Sequence, residues 1–417
     1  MEVVALALSL PVEIFVFFAI LLVIQSAAAL RDGYRFLRYV RQSHNKPPGD
    51  YTPRAAVVIP CKGVDPDFQR NIARFMAQDY PDYQLIFVVA EPKDPAFAVI
   101  ESLLKDAGGT GARRARQTAL LVAGHAEERG EKVHNLLRGV AAVDPSAEVL
   151  VFADADARPA ADWLRSLVAP LAEPRVTVST GFRWYLPGAS FVSQLRAAWD
   201  TSLATLLGDH ESNFAWGGSM ALRASDFKGL DIAGRHWAHT VSDDYAVTRA
   251  ARDANGWIRF EPRCLVASHE DSSLRDFLGW ANRQIILTRV YAPRLWALGL
   301  AAYSFYCGTF LLGLAALLMP ATSLPWKAGI AAALLIILTL GCAKGRIRTV
   351  VSRELFPEDG DTLAKLGGRY WQLSPLVPWV MLFNFVVAGF TRRIQWRGTE
   401  YELKSADEVK VLKRDLA

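Results

Sequence analysis

The chain has 417 residues, of which 52% are hydrophobic and 21% charged, and its formal net charge is +5. This length accommodates one complete α/β domain and additional segments. The small net charge and the lack of a basic face interleaved with aromatic residues argue against a nucleic-acid partner. The four cysteines have no metal-ligand spacing, which argues against a zinc site or a disulfide framework.

Long apolar segments near both ends of the chain predict an integral membrane protein. They are residues Ile14–Leu30, Leu295–Met319, Trp326–Ala343 and Leu376–Phe390, against about 20 residues needed to cross a bilayer. No cationic region precedes the first segment, so we predict an anchor and not a cleaved signal peptide. A soluble domain of roughly 250 residues is expected between the spans.

Basic residues beside these segments predict the orientation of the chain. Four arginines in residues 31–41 follow the first segment, so the positive-inside rule places the N-terminus outside and the large domain in the cytoplasm. The same rule places the basic residues of 344–348 and of 392–397 inside, which is incompatible with four crossings. We therefore predict that segment 376–390 is interfacial or re-entrant. The Ala- and Arg-rich composition suggests a bacterial inner membrane.

Between Tyr51 and about Cys264, short apolar runs alternate with predicted helices. The runs are AAVVIP, QLIFVVA, QTALLVAG and EVLVFAD, and the helices that follow them are 67–78, 97–105, 132–143 and 160–171. This alternation predicts βαβ units and a mainly parallel, Rossmann-like sheet. The glycine motifs of dinucleotide-binding enzymes and of P-loop NTPases are both absent, which argues against those two classes.

Two acidic pairs are the candidate chemical groups. Asp154 and Asp156 follow the apolar run VLVFA, and such like charges repel unless a cation lies between them or one is protonated. A hard divalent ion held by carboxylates and phosphate oxygens is the usual solution, although an aspartate there could also simply cap a helix. Asp243 and Asp244 precede a predicted helix, Ala246–Ala254. One of them is either a helix cap or a general base, and we favour Asp244 as the base.

Seven motifs in order resemble a known family. They are VVIPCKG, VVAEPKDP, EKVHNLLRG, FADADARP, WGGSMALR, SDDY and IQWRG. The chain in this respect is similar to inverting glycosyltransferases of family two and most similar to their ceramide glucosyltransferase relatives. The resemblance implies an α/β GT-A domain in the cytoplasm, with transmembrane helices on both sides of it in the sequence. We expect an anchor at 1–42, the GT-A domain at 50–275, and an interfacial helix, transmembrane helices and tail at 276–417.

The resemblance also implies roles for individual residues. Glu91 is expected to contact the uridine, with Asp94 as a nearby substitute. Lys132 and Asn135 are the expected nucleotide-facing pair. Asp154 and Asp156 are expected to bind the ribose or diphosphate together with a Mn²⁺ or Mg²⁺ ion. Asp156 is the expected metal ligand, and His269 is a further one. The acceptor side is assigned to Trp216, Gly217, Gly218 and, as a weaker candidate, His210. Lys132 could equally be a solvated helix residue, and His269 a structural histidine.

The segment Trp280–Gln284 departs from the family pattern of Gln or Arg, two residues, then Arg-Trp. Arg283 matches, whereas Trp280 and Gln284 replace the flanking positions. In processive polysaccharide synthases that tryptophan meets the growing polymer, so its absence weakens a polymerase interpretation. Arg283 and Gln284 are assigned to the catalytic residues. Arg283, and Arg289 after it, are expected to bind the diphosphate, unless both are ordinary interfacial arginines.

The resemblance favours an enzyme that transfers one sugar from a UDP-sugar to a lipid hydroxyl. Ceramide is the expected acceptor, as in glycosphingolipid synthesis, followed by a hopanoid or a polyprenyl phosphate. One base without a nucleophile predicts inversion at the sugar carbon. The alternatives are a processive polysaccharide synthase and, outside the enzymes, a silent membrane scaffold that binds nucleotide sugar.

Overall fold

A computed structural model describes residues 2–110, 115–269 and 271–414. The strands are β1 Ala55–Pro60, β2 Tyr83–Val89, β3 Gln117–Val122, β4 Val149–Ala153, β5 Val176–Tyr185, β6 Ser219–Arg223, β7 Trp257–Ser268, β8 Arg393–Trp396, β9 Thr399–Ser405 and β10 Glu408–Arg414. The α-helices are α1 Glu2–His44, α2 Phe68–Met76, α3 Pro95–Thr110, α4 Glu131–Val140, α5 Trp163–Val168, α6 Phe191–Ala204, α7 Ala224–Gly229, α8 Asp243–Asp253, α9 Leu274–Tyr291, α10 Pro293–Leu318, α11 Leu324–Leu355, α12 Gly360–Leu366, α13 Arg369–Gln372 and α14 Val377–Phe390.

In the described part of the chain, seven strands form one sheet in the order β3-β2-β1-β4-β6-β5-β7. Strand β1 pairs in parallel with both β2 and β4, so the predicted parallel sheet is present at its centre. Strand β6 is antiparallel to β4 and β5. Because parallel strands end at the same edge, the loops after β1, β2 and β4 meet at one edge of the sheet.

The central strands are continuous apolar runs because both faces of the sheet are covered. On one face Val57 and Phe87 belong to a core with Phe75 of α2 and Trp163 of α5. On the other face the neighbouring residue Val58 packs under α4. This alternation of faces is the two-residue period of a strand, and burial of both faces explains why no polar residue interrupts the run.

Helix α4 approaches the sheet closely because it has a glycine at the contact. A Cβ atom added to Gly139 would lie 2.3 Å from Cγ1 of Val58. The close approach keeps the first turn of α4, which carries Lys132, against the edge of the sheet where the loops meet.

Helix α8 begins at Asp243, three residues earlier than the predicted Ala246. Both acidic residues therefore lie inside the first turn and not before the helix. Negative charge is favourable there because it opposes the positive end of the helix dipole. The predicted C-terminus is close to the observed one, since Asn255 follows the helix with a φ of 55°.

Three helices of the described residues are long and apolar enough to cross a membrane. They cover Leu10–His44, Pro293–Leu318 and Leu324–Leu355. They pack together, with Phe15 of α1 buried against Ala316 and Leu334. Helix α14 is apolar but has only 14 residues, which falls short of the about 20 needed for a full span.

The C-terminal sheet, β8 to β10, contacts the first turn of α4 and the loop after β1. The hydroxyl of Tyr401 accepts a hydrogen bond from the backbone N–H of Glu131, 3.2 Å away. Arg397 also pairs with Asp65 in the loop after β1, at 2.7 Å. The C-terminal strands therefore lie on the same side of the long apolar helices as the large domain, as expected for a last apolar segment that does not cross.

We expect the substitution Gly139→Ala to destabilise the protein, although alanine favours helices by about 1 kcal/mol over glycine. The added methyl group would overlap Val58, and overpacking of this kind costs about 1–3 kcal/mol. Thermal unfolding in detergent should show a lower Tm than for the wild type. Gly229→Ala is the matched control, because nothing lies within 4 Å of its added Cβ. Equal effects of the two substitutions would contradict this explanation.

Candidate active site

One large cavity, of about 1960 Å³, joins the edge of the seven-stranded sheet to the apolar helices. At the sheet end it is lined by both acidic pairs, Lys132, Asn135 and Trp216. Helix α9 contributes Trp280, Arg283 and Gln284. At the other end it is lined by Gln25, Tyr303, Tyr306, Lys344 and Phe385. The structure thus brings most of the predicted site residues to a single space.

The charges of Asp154 and Asp156 are compensated by side chains of the same chain. Nη2 of Arg183 lies 3.1 Å from Asp154 and 2.8 Å from Asp156. Burial penalises charge on both carboxylates, but Lys132 and Arg183 outweigh it at Asp154 and lower the pKa of that group. At Asp156, burial and the neighbouring Asp154 raise the pKa. The aspartate pair therefore already encloses a cation.

Lys132, in the first turn of α4, joins the two acidic pairs. Its Nζ lies 2.8 Å from Asp154 and 3.2 Å from Asp243. Burial works against the ammonium charge, but the surrounding carboxylates outweigh it and raise the pKa of Lys132. The solvated alternative is therefore wrong, since 13% of this side chain is exposed. One turn further, Oδ1 of buried Asn135 has no hydrogen-bond partner among the described residues.

Asp243 and Asp244 differ in their access to the cavity. Asp243 is 2% exposed, and burial raises its pKa to about 7, with Asp244 and Asp154 adding to the shift. Asp244 is half-buried. Its carboxylate accepts hydrogen bonds from the N–H of Tyr245 at 2.8 Å and of Gly217 at 3.3 Å, and from the hydroxyl of Ser242. Asp244 is thus the fixed and more accessible carboxylate of the pair.

Two glycines allow the loop before β6 to pass between the acidic pairs. A Cβ atom on Gly217 would lie 2.0 Å from Oδ2 of Asp243. One on Gly218 would lie 2.2 Å from the ring of Trp216 and 2.7 Å from Oδ2 of Asp154. Only glycine leaves room for both carboxylates here.

Arg283 is a half-buried cation without a carboxylate partner among the described residues. Its guanidinium lies over the ring of Trp396, 4.9 Å from the centroid. Burial lowers its pKa to about 10, and three further guanidinium groups, those of Arg183, Arg196 and Arg397, act in the same direction. The group is still charged at neutral pH. Several like charges around one cavity create a region of positive potential that suits a polyanion.

Arg397 is a site residue that sequence reasoning missed as an individual. It forms, with Gly398, the two-residue turn between β8 and β9, and both have positive φ, 44° and 77°. This is the conformation of a tight hairpin, and it is unusual for arginine. Arg397 donates to the carbonyl of Lys62 at 3.1 Å, and its Nη2 lies 3.9 Å from Asp156. The feature of the sequence that could have identified Arg397 is its position directly before the glycine of a short hairpin.

Asp200 of α6 was also missed, because an aspartate within a helix resembles a surface residue in the sequence. It lines the cavity and is 3% exposed. Its carboxylate accepts a long hydrogen bond, of 3.4 Å, from the N–H of Tyr185. Burial raises its pKa to about 7, although Arg183 and Arg196 act in the opposite direction.

Glu91 and Asp94 lie near the predicted edge of the sheet but do not line the cavity. Oε2 of Glu91 is 3.9 Å from Nε2 of His125. Oδ1 of Asp94 accepts hydrogen bonds from the N–H groups of Gly63 and Ala96, each at 2.9 Å. Asp94 therefore fixes the loop after β1, and the uridine contact of Glu91, or of Asp94 as its substitute, stays a prediction.

The structure places two other predicted residues, Arg289 and His210, away from the acidic pairs. Arg289 donates to the carbonyl of Ala388 at 2.7 Å and joins α9 to α14. It is six residues after Arg283, which on a helix is a rotation of about 240°, so the two arginines point in different directions. His210 is exposed and bonded to Ser212. The diphosphate role of Arg289 and the acceptor role of His210 are not supported by these positions.

His269 pairs with Asp359, in the turn after α11, at 3.1 Å. Within residues 2–110, 115–269 and 271–414, no group of three histidine, cysteine or acidic side chains is arranged to hold a metal ion. His269 is thus engaged by Asp359, which lies about 90 residues further along the chain, and its role as a metal ligand beside Asp156 stays a prediction.

Residues 16–409 match the family model described as Glycosyl transferase family 21. The chain belongs to that family. The match confirms the resemblance to ceramide glucosyltransferases, and it makes the chain a glycosyltransferase. Its mixed α/β domain is of the GT-A type, with apolar helices before and after it.

Solved structures with a similar arrangement share little sequence with the chain. A mannosyltransferase from Pyrobaculum calidifontis, in complex with GDP-Man and Mn²⁺, is 16% identical with a TM-score of 0.46, over 90% of this chain and 97% of that chain. A glucosyl-3-phosphoglycerate synthase from Mycobacterium tuberculosis, in complex with phosphoglyceric acid, is 16% identical with a TM-score of 0.35, over 61% and 83%.

The buried carboxyl of Asp200 predicts a pH-dependent stability. Its pKa is about 7 in the folded chain against a usual value of 3.8, so between about pH 4 and 7 the folded state binds more protons than the unfolded state. Stability is therefore lost as pH rises through this window, at about 1.4 kcal/mol per pKa unit.

We expect Asp200→Asn, which keeps the shape but cannot ionise, to have a higher Tm than the wild type at pH 8 and a smaller advantage at pH 5. Melting curves of both proteins in detergent at several pH values measure this difference. A Tm difference independent of pH would contradict the assignment.

Proposed function

We propose that this glycosyltransferase moves a single sugar, with inversion, from a UDP-sugar to the hydroxyl group of a membrane lipid, and that ceramide is the acceptor. The observation that carries the proposal is the cavity. It is continuous from the acidic pairs to the apolar helices, where Gln25, Tyr303 and Lys344 line it. A lipid can present its hydroxyl at the acidic pairs while its chains remain among the helices.

The donor's diphosphate fits the positive region around Arg283. A half-buried guanidinium without a carboxylate partner is costly, and a phosphate compensates it through paired hydrogen bonds. Arg397 extends this region from the C-terminal hairpin. The unpaired Oδ1 of Asn135 and the ammonium of Lys132 face the same cavity and supply further polar contacts for the nucleotide.

A divalent ion, Mn²⁺ or Mg²⁺, fits the aspartate pair. Two carboxylates, those of Asp154 and Asp156, converge on one cationic group within 3.1 Å. Hard cations of this kind commonly take one or two carboxylates and complete their shell with phosphate oxygens and water. When bound, the ion would act as a Lewis acid that stabilises negative charge on the leaving diphosphate. Asp154 and Asp156 are the residues that would hold it.

Asp244 is the proposed general base. Its carboxylate is fixed by the N–H groups of Tyr245 and Gly217 and by Ser242, and it faces the cavity. The acceptor hydroxyl transfers its proton to this carboxylate as the oxygen attacks the sugar carbon. The bond to the diphosphate breaks on the opposite side, so the configuration inverts. Asp243 remains buried beside Lys132 and helps to position the lysine.

We expect Asp244→Asn to lower kcat by about 10²–10⁴-fold, the usual contribution of a general base, with little change in UDP affinity. The assay measures sugar transfer from UDP-glucose, UDP-galactose and UDP-glucuronic acid to ceramide, a hopanoid and a polyprenyl phosphate. Asp253→Asn is the matched control, since Asp253 lies on the same helix and also lines the cavity.

Undiminished turnover of Asp244→Asn would remove the base assignment. A product with retained configuration, determined by NMR of the glycolipid, would contradict inversion. Transfer to another lipid in the panel, and not to ceramide, would correct the acceptor, and extension of an oligosaccharide would favour a polysaccharide synthase. Nucleotide binding without transfer to any acceptor would favour the scaffold.

We expect Arg283→Ala to weaken UDP binding by about 10–100-fold, because a hydrogen bond to a charged group contributes about 1.5–3 kcal/mol. Calorimetric titration of the full chain with UDP measures it. Arg289→Ala, on the same helix, is the matched control and should lower Tm while UDP affinity stays the same. Equal losses of affinity in both variants would show that the effect comes from the helix as a whole.

A further inference from the structure

Arg183 occupies the place between Asp154 and Asp156 that a bound cation would take. The same nitrogen, Nη2, lies 3.1 Å from one carboxylate and 2.8 Å from the other. The side chain is 13% exposed. A charged group so little hydrated depends on these carboxylates for its stability. Neither the motifs of the sequence nor the proposed reaction assigns a role to this residue.

The groups around Arg183 hold it in place but do not pair all of its hydrogen-bond donors. Nη1 donates to the hydroxyl of Tyr185 at 2.9 Å, and the guanidinium lies 5.2 Å from the ring centroid of Trp216. Its Nε is buried and has no hydrogen-bond partner among the described residues. Structural arginines in folded proteins usually have their buried donors paired. The guanidinium is thus held by the two carboxylates, Tyr185 and Trp216, while one of its donors stays unpaired.

A divalent ion cannot share the aspartate pair with the guanidinium in its present position, because both are cations that need the same carboxylate oxygens. Lys132 is a second fixed positive charge on Asp154, 2.8 Å away. A metal ion that approaches the chain alone therefore meets carboxylates that are already neutralised. A metal ion that arrives with a diphosphate brings a new anion, to which a guanidinium binds well.

We propose that Arg183 is an internal counter-ion of Asp154 and Asp156 that competes with the divalent metal, and that it moves from the carboxylates to the donor's diphosphate when metal and nucleotide bind together. The rings of Trp216 and Tyr185 flank the guanidinium and allow it to shift while it keeps its cation–π contacts. Metal and nucleotide then bind cooperatively. In the chain without ligands, and in the presence of the metal alone, Arg183 continues to compensate the aspartate pair. This inference depends on the proposed nucleotide-sugar function of the cavity.

The test measures binding of Mn²⁺ alone to the full chain in detergent, by electron paramagnetic resonance, without any nucleotide. We expect Arg183→Gln to bind Mn²⁺ at least about tenfold more tightly than the wild type, because the competing cation is gone. Arg183→Lys should fall between the two, since an ammonium group is compact and lacks the fork of a guanidinium. Arg175→Gln is the matched control, because Arg175 directly precedes β5 and lies over Trp257.

The second arm adds UDP to the same samples. We expect UDP to tighten Mn²⁺ binding at least about tenfold in the wild type and clearly less in Arg183→Gln. Addition of Asp156→Asn to Arg183→Gln should abolish the gain in Mn²⁺ affinity, which locates the ion at the aspartate pair. Melting curves show whether each variant is folded, and Arg183→Lys keeps the test decisive if the glutamine variant does not fold.

Equal or weaker Mn²⁺ binding by folded Arg183→Gln or Arg183→Lys, relative to the wild type, would overturn the inference. These readouts do not require sugar transfer. Tighter binding of the metal alone together with no transfer to any acceptor would therefore retain Arg183 as the competing cation and reject the proposed reaction. Transfer to a lipid without any change in metal affinity would retain the proposed reaction and reject Arg183 as the competing cation.

Discussion

The repulsion between clustered carboxylates, one buried and three half-buried, is the constraint on which the site depends. Asp154, Asp156, Asp243 and Asp244 come from the end of β4 and the first turn of α8, and they share one cavity. Lys132 joins one pair to the other, and Arg183 bridges the first pair. Without these cations the burial of such charges would cost several kcal/mol each. The glycines at 217 and 218 are needed because the carboxylates leave no space for a Cβ atom.

The membrane-associated part of the chain and the catalytic domain are built as one structure. Arg158, two residues after Asp156, pairs with Asp359 in the turn that follows α11. Trp199 of α6 donates to Asn384 of α14 at 3.1 Å. The C-terminal hairpin returns to the sheet and brings Arg397 to the loop after β1. Direct contacts therefore join the apolar helices to the segment that carries Asp156.

The arginines illustrate which roles could be predicted from the sequence and which could not. Arg283 and Arg289 looked equivalent, but the rotation of α9 directs one to the cavity and the other to the backbone of α14. Arg183 belongs to no motif, because its role follows from a contact between β5 and the loop after β4, and the two residues in contact are 29 positions apart in the sequence. Pairing across strands depends on the order of the sheet, and β6 lies between β4 and β5.

The sequence by itself determined the alternation of strands and helices, the apolar helices at both ends, the glycosyltransferase family, and the carboxylates at the end of β4. These features are local, because they are encoded in the periodicity of apolar residues and in short motifs of neighbouring residues. Only the tertiary structure decided the partners of these groups: Lys132 between two acidic pairs, Arg183 between two aspartates, His269 with Asp359, and Asp200 buried in the cavity wall. Charge partners and burial are long-range properties, because they depend on which distant segments the fold brings within a few ångströms.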